Sequence, residues 1–234
     1  AGKTTYFNLI SGQLAASEGQ VHLDGQELTG LSASARTRAG LGRAFQLTNL
    51  FPNLTVLENV RLAVQATEEG PHLRGLNLWS IWQDHAKLTR QAQDILQQVS
   101  MMTQANATVA SLPHGDQRKL EVALLMALKP SVYMFDEPTA GMSQDEAPVI
   151  LNLIRQLKSD KTKTILLVEH KMDVVRELAD RIIVLHNGQL VADGEPAEVM
   201  ASAVVQEAYL GVKPNAVAAS EGLKSKVMHS EDDV

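Results

Sequence analysis

Apolar positions along the chain follow two periods, and the switches between them lay out the elements. Short runs at 41–46, 131–136 and 164–168 read as strands, the first ending in polar Gln46, the last two buried and apolar, with that at 131–136 a parallel strand. Between them the spacing turns helical. Residues 4–11, closed by Gly12, predict one helix, and Leu88, Ala92, Ile95, Leu96 and Val99 fall on one face of a second over 83–99. Leu120, Ala123, Leu124 and Ala127 stripe a third helix, and Val149, Ile150, Leu153, Ile154 and Leu157 a fourth, which Ser143 and Glu146 precede at capping-box spacing. Two alternating stretches turn on Asp24-Gly25 and Asn187-Gly188, dipeptides suited to tight hairpins. Residues 171–179 predict one more helix and 195–210 short ones.

This order predicts an α/β fold with a mostly parallel sheet, flanking helices and an antiparallel hairpin region. Gly70, Pro71 and Gly75 interrupt the chain ahead of what reads as an inserted helical subdomain over about 66–128, with Trp79 and Trp82 as packing anchors. The domain is expected to span 1–212. From residue 213 the apolar period is lost, and 213–234 reads as a disordered tail.

The chemistry gathers at strand ends and turns. The run at 131–136 delivers Asp136 and then Glu137 at its C-terminal edge, where open α/β sheets bind ligands. Adjacent carboxylates there repel and call for a cation, a proton or a reacting water. Gly2-Lys3-Thr4-Thr5 is the second half of a phosphate-binding loop: backbone N–H groups cradle phosphate, Lys3 reaches the β/γ oxygens, and the Thr4 hydroxyl holds Mg²⁺. The first glycine of that loop would lie before residue 1, so the chain reads as truncated at its amino end. Taken together, the two motifs let one carboxylate complete a Mg²⁺ shell while its neighbour polarises water. The turn over 112–117 opens the third helix and offers a second helix N-terminus as a potential phosphate site. Gln46 is either a plain loop residue or an amide that completes the metal shell or positions water, with the apolar loop Leu50 to Leu54 meeting a partner. His22 reads as a solvated strand residue and His186 as structural.

Composition narrows the class. The 234 residues suffice for one substantial core, and the absence of cysteine excludes disulfides and thiolate metal sites. No apolar run reaches membrane-spanning length. A net charge of −6 without a basic block argues against nucleic acid as a partner.

Gly2-Lys3-Thr4-Thr5, Gln46, the Leu-Pro-His-Gly-Asp-Gln turn at 112–117, Phe-Asp-Glu-Pro at 135–138, Ala140 to Ser143 and Glu169-His170 stand in the order and approximate spacing of ABC transporter ATPase subunits. The chain resembles that family over residues 1 to about 212, most of all the ATPases of branched-chain amino-acid importers and their urea and amide relatives. The pointers to that group are residues 47–56, Ala140 to Ser143, and the ending Glu207-Ala-Tyr-Leu-Gly211. The resemblance implies a P-loop NTPase-type fold that hydrolyses ATP with Mg²⁺. It assigns Gly2, Lys3, Thr4 and Thr5 to the phosphates, Thr4, Gln46 and Asp136 to the metal, Glu137 to the general base, and His170 to the γ-phosphate switch. It implies a head-to-tail dimer with an identical or related ATPase subunit, in which Pro113, His114, Gly115 and Asp116 cap the partner's nucleotide. Pro113 stands where the family usually has serine. Membrane permease subunits would be met near Gln46 to Leu54, a periplasmic binding protein would take part indirectly, and the subunit would sit peripherally on the cytoplasmic face of the inner membrane. A lipopolysaccharide-export type ATPase and a non-catalytic regulatory nucleotide-binding subunit are the alternatives.

Overall fold

The computed structural model describes residues 2–44, 50–68 and 78–210, with side chains over 2–44, 50–67 and 86–206. Gln46, the glycine and proline breaks at 70, 71 and 75, the side chains of Trp79 and Trp82, and the tail at 213–234 lie outside those residues. The chain divides into two compact units, one of residues 4–171 and one of residues 1–3 with the chain from Met172 onward.

In the larger unit, α1 (Lys3–Ser11) ends at Gly12, whose φ of 79° suits the left-handed turn after a helix. Its last carbonyls have a buried donor. Arg36, 2 % exposed, donates from Nη1 to the oxygens of Leu9 and Ile10, both at 2.7 Å, and from Nη2 to Thr29 O at 2.7 Å. A side chain on Gly12 would lie 2.9 Å from Arg36 Nε, so the capping arginine also excludes larger residues there. Next, β1 (His22–Leu23) and β2 (Gln26–Glu27) form the expected hairpin, with Asp24 and Gly25 at φ 49° and 80°, as its turn requires. His22 is exposed and shares a hydrogen bond with the Gln20 side chain. Helix α2 (Ala33–Arg38), capped by the Ser32 hydroxyl, leads into β3 (Leu41–Ala44).

Three helices follow: α3 (Val56–Glu68), α4 (Leu78–Gln98) and α5 (His114–Leu128). Thr55 and Glu58 exchange the two hydrogen bonds of a capping box at the start of α3, which holds the Glu58 carboxyl below its ordinary value. Leu88, Ala92, Ile95, Leu96 and Val99 are all buried, as their spacing predicts, although α4 starts five residues earlier than the 83–99 expectation. Helix α5 departs from its predicted single stripe. Leu120, Ala123 and Ala127 are buried but Leu124 is only half-buried, while Val122 and Leu125 are buried as well. The helix packs on α3 and α4 and also on β3, so more than one of its faces is covered. The approach to β3 is close: a Cβ on Gly42 would fall 2.5 Å from Leu125 Cδ1.

The central strand β4 (Val132–Asp136) pairs in parallel with β3 on one side and with β5 (Thr164–Val168) on the other. Val132 through Phe135 are buried, which accounts for the unbroken apolar run. The expectation of a buried strand at 164–168 needs correction, because Thr164 is exposed, Ile165 to Leu167 are half-buried and only Val168 is buried. The strand forms the edge of the described sheet. Phe7, Leu28, Leu41, Val132, Met134 and Val168 make one core between sheet and α1. After β4, Ser143 and Glu146 form the predicted capping box ahead of α6 (Ala147–Ser159), which buries Ile150, Leu153 and Ile154.

In the smaller unit, α7 (Met172–Leu178) precedes the hairpin β6 (Ile182–His186) and β7 (Gln189–Gly194), which turns at Asn187 and Gly188 with φ 49° and 78°. Arg181 grips Asp193 with Nε and Nη2 at 2.6 and 2.7 Å. His186 is exposed at the end of β6. Helices α8 (Pro196–Ala201) and α9 (Ala203–Leu210) complete the unit, and Val184, Val199 and Val205 form its small core.

Candidate functional site

The register of the parallel sheet decides which acids meet which basic side chains. Asp136 is the last residue of β4 and lies opposite Val168, so the chain leaving β4 runs beside the chain leaving β5. Glu137 takes a left-handed conformation at φ 51°, which costs a non-glycine residue about 1–3 kcal/mol. Its N–H donates to Val168 O at 2.9 Å and its carbonyl accepts from Ala140 N at 3.0 Å, so both sides of the turn are tied. Two residues past Val168, His170 meets it: His170 Nε2 lies 2.5 Å from Glu137 Oε1. These side chains remain 62 % and 41 % exposed, which leaves the pair open to a solute. Thr139, buried, donates to Glu169 Oε1 at 2.9 Å, while Glu169 Oε2 accepts the His170 N–H at 3.1 Å. The structure thus brings together the predicted base and the predicted switch residue, and adds Thr139 and Glu169 as their support.

Asp136 has another partner. Arg43 of β3 donates from Nη2 to Asp136 Oδ2 at 3.2 Å, with side-chain exposures of 4 % and 10 %. The Arg43 Nη1 donates to Asn8 Oδ1, Ser11 Oγ and Gln13 Oε1 at 2.7, 3.0 and 3.3 Å, and the guanidinium stands 5.5 Å from the centre of the Phe7 ring. Burial pulls this guanidinium below its ordinary value, and the charge of Asp136 opposes that pull. The sequence reading missed Arg43. A lone charge between Gly42 and Ala44 in a sheet strand was the available signal.

At the amino end, Gly2 has φ 106°, which glycine adopts without strain, and Lys3, Thr4 and Thr5 form the first turn of α1, with both threonines exposed. A hydroxyl and a carboxylate are hard oxygen donors of the kind Mg²⁺ takes, and Asp136 Oδ1 makes no hydrogen bond among the described residues. Those residues contain no cluster of three or more acids and histidines, a set Mg²⁺ does not need because it keeps waters and phosphate oxygens. The donors therefore fit that ion. Gln46, the remaining predicted metal residue, lies outside the described residues.

The turn at 113–116 forms the first turn of α5, with Pro113 at its N-cap and no side-chain cap bond. Pro113 and His114 are exposed. Gly115 is buried against Glu146, whose Oε1 would lie 2.4 Å from an added Cβ. Asp116 does not present a free charge: Lys119 Nζ binds its Oδ1 at 2.9 Å and also reaches Glu146 Oε1 at 3.5 Å. Hydrogen bonds from the Ser143 N–H and hydroxyl, then Lys119, hold the Glu146 carboxyl below its ordinary value.

The loop before α3 is fixed from beneath. Buried Asn59 accepts from Phe51 N at 2.8 Å and donates to Phe51 O at 3.1 Å and Thr55 O at 2.9 Å, while the Phe51 side chain is 54 % exposed. No helix among the described residues is long and apolar enough to cross a membrane.

Residues 1–140 match the ABC transporter family, and residues 189–213 match the family described as branched-chain amino acid ATP-binding cassette transporter. The chain is 35 % identical over 212 residues to the high-affinity branched-chain amino acid transport ATP-binding protein BraF of Pseudomonas aeruginosa, covering 90 % of this chain and 83 % of the relative. LivG of Escherichia coli K12, with the same description, matches at the same identity and coverage. Among solved structures, an ATP-binding cassette of an ABC transporter in its ADP conformation aligns with TM-score 0.70 at 27 % identity, over 90 % of this chain and 84 % of that one. A dimeric cassette in a post-hydrolysis state with ADP and phosphate aligns with TM-score 0.70 at 26 % identity, over 83 % and 81 %.

Proposed function

The chain belongs to the ABC transporter family as an ATPase subunit that powers import, and on that premise we propose that its cargo is a branched-chain amino acid and that Glu137 and His170 carry the hydrolytic step. The named relatives and the match at 189–213 support the cargo. The observation that carries the hydrolytic reading is the 2.5 Å hydrogen bond between Glu137 and His170 at an exposed sheet edge.

Catalysis of phosphoryl transfer to water consists of positioning and charge stabilisation. Glu137 accepts a proton from the water that attacks the γ-phosphate, so that the P–O bond to ADP breaks as the new bond forms. His170 holds the base in place with Nε2 and meets the γ-phosphoryl group. Lys3 compensates charge at the β/γ oxygens, and the α1 N-terminus adds its backbone N–H groups. Thr4 and Asp136, with Gln46, would hold Mg²⁺, which when bound neutralises phosphate charge. ABC cassettes work as dimers with membrane subunits. In this one, Pro113 through Asp116 cap the nucleotide of a head-to-tail partner, and the Leu50 to Leu54 loop meets the permease on the cytoplasmic face of the membrane. A periplasmic binding protein supplies the cargo.

Two assays separate the parts of this reading. With its permease subunits in liposomes, the ATPase should drive uptake of radiolabelled leucine only with ATP inside. ATP turnover without uptake of leucine, isoleucine or valine would refute the cargo. Glu137→Gln should retain ATP binding and accumulate an ATP-bound dimer in sedimentation. Unchanged turnover in that variant would move the base elsewhere.

A further inference from the structure

We propose that Arg43 is a positioning residue that aims the Asp136 carboxylate at the metal of bound nucleotide, an inference that rests on the ATPase reading above. The geometry is specific. The guanidinium uses one nitrogen, Nη2, on Asp136 Oδ2 and the other, Nη1, on Asn8, Ser11 and Gln13, which belong to α1 and the turn after it. Only a planar fork reaches two such acceptor groups at once. The ring of Phe7, also on α1, supports the guanidinium at 5.5 Å. One side chain therefore fixes the end of β4 against the helix whose first turn contains Thr4.

The chemistry follows from which oxygen is taken. With Oδ2 bound to Arg43, Asp136 offers Oδ1 in a single orientation, and no rotation about its last torsion is open without breaking a buried ion pair. The carboxylate and the Thr4 hydroxyl are thereby held by one continuous body of strand, arginine and helix. Groups that orient a metal-binding carboxylate through hydrogen bonds typically contribute 10–100-fold in metal affinity.

Arg43→Lys isolates orientation from charge, because lysine keeps the cation but reaches only one of the two acceptor groups. The measurement is Mn²⁺ affinity of the ADP-loaded subunit by electron paramagnetic resonance, beside ADP affinity without metal. We expect Arg43→Lys to weaken Mn²⁺ by about tenfold and to leave metal-free ADP affinity within about twofold. Asn8→Ala, which removes the 2.7 Å anchor on α1 but neither charge, should shift Mn²⁺ affinity the same way by a smaller factor. A merely structural role would lower both affinities together. Equal Mn²⁺ affinity in the unsubstituted protein and both variants would overturn the inference while leaving the ATPase reading intact. Failure of the unsubstituted subunit to bind Mn²⁺ with ADP would overturn the ATPase reading itself.

Discussion

Asp136 and Glu137 are neighbours in the chain, yet they serve two regions with opposite physics. Asp136 is half-buried, its side chain 10 % exposed, and is held by an arginine whose side chain is 4 % exposed and which joins β3, β4 and α1 of its own unit. Glu137 turns out through a left-handed backbone to an exposed histidine. The repulsion that adjacent carboxylates would suffer at a strand end is resolved by sending each to its own partner, Asp136 to the Arg43 guanidinium and Glu137 to the His170 ring. The inner acid is placed by the fold. The outer one stays reachable, as the proposed base must be to trade protons with water.

The comparison breaks most sharply under Arg43→Met, which strands Asp136 in a buried site and should cost about 3–5 kcal/mol in urea unfolding. Removing the outer pair by His170→Ala should change the same midpoint by no more than about 1 kcal/mol, since exposed pairs contribute little. Activity should show the reverse weighting at the rim: Glu137→Gln should slow single-turnover ATP hydrolysis by about 10²-fold or more while ATP binding persists.

The α5 turn offers a third case, in which Asp116 and Glu146 share one cation, Lys119. Lys119→Met frees Asp116 and Glu146 from their shared cation and should cost about 1.5–3 kcal/mol by thermal melting, with weaker ATP-dependent dimerisation. Glu146 also sets a pH limb. Its folded-state carboxyl titrates below the ordinary 4.5, so its stabilising contribution is complete above that value and is lost as pH falls through the lower folded one. Glu146→Gln should flatten the acid side of a stability–pH profile. The smallest effect is expected of Pro113→Ser, where a gained cap and a looser unfolded chain offset each other to within about 1 kcal/mol. Its signature is instead tighter dimerisation, read from ATPase rate against protein concentration.

The parts that sequence made legible are those written in local terms. Asp24-Gly25 and Asn187-Gly188 sit at positive φ because tight hairpins demand it, and the β4 run is unbroken because both faces are covered. Ser143 and Glu146 lie three residues apart and found each other. The Arg43–Asp136 pair spans 93 positions, and nothing in either neighbourhood announces the other. The extra buried face of α5 escaped for a similar reason, since it depends on β3 and on Gly42 clearing space for Leu125. Thr164 to Leu167 look like a core strand by composition, and only the sheet order places them at the edge of the described sheet.

The hold of Asn59 on the backbone of Phe51 separates the shape of that loop from the identity of its side chain. Because the loop is tied to α3 through amide contacts to its peptide groups, the exposed residues at 51–53 can be exchanged without altering its pose. Substitutions at the tip are then nearly silent for folding and are felt only by whatever docks there. A lineage carrying such a clamp can acquire a new docking partner by single steps, each viable, whereas a loop shaped by its own side chains would have to change shape and chemistry together.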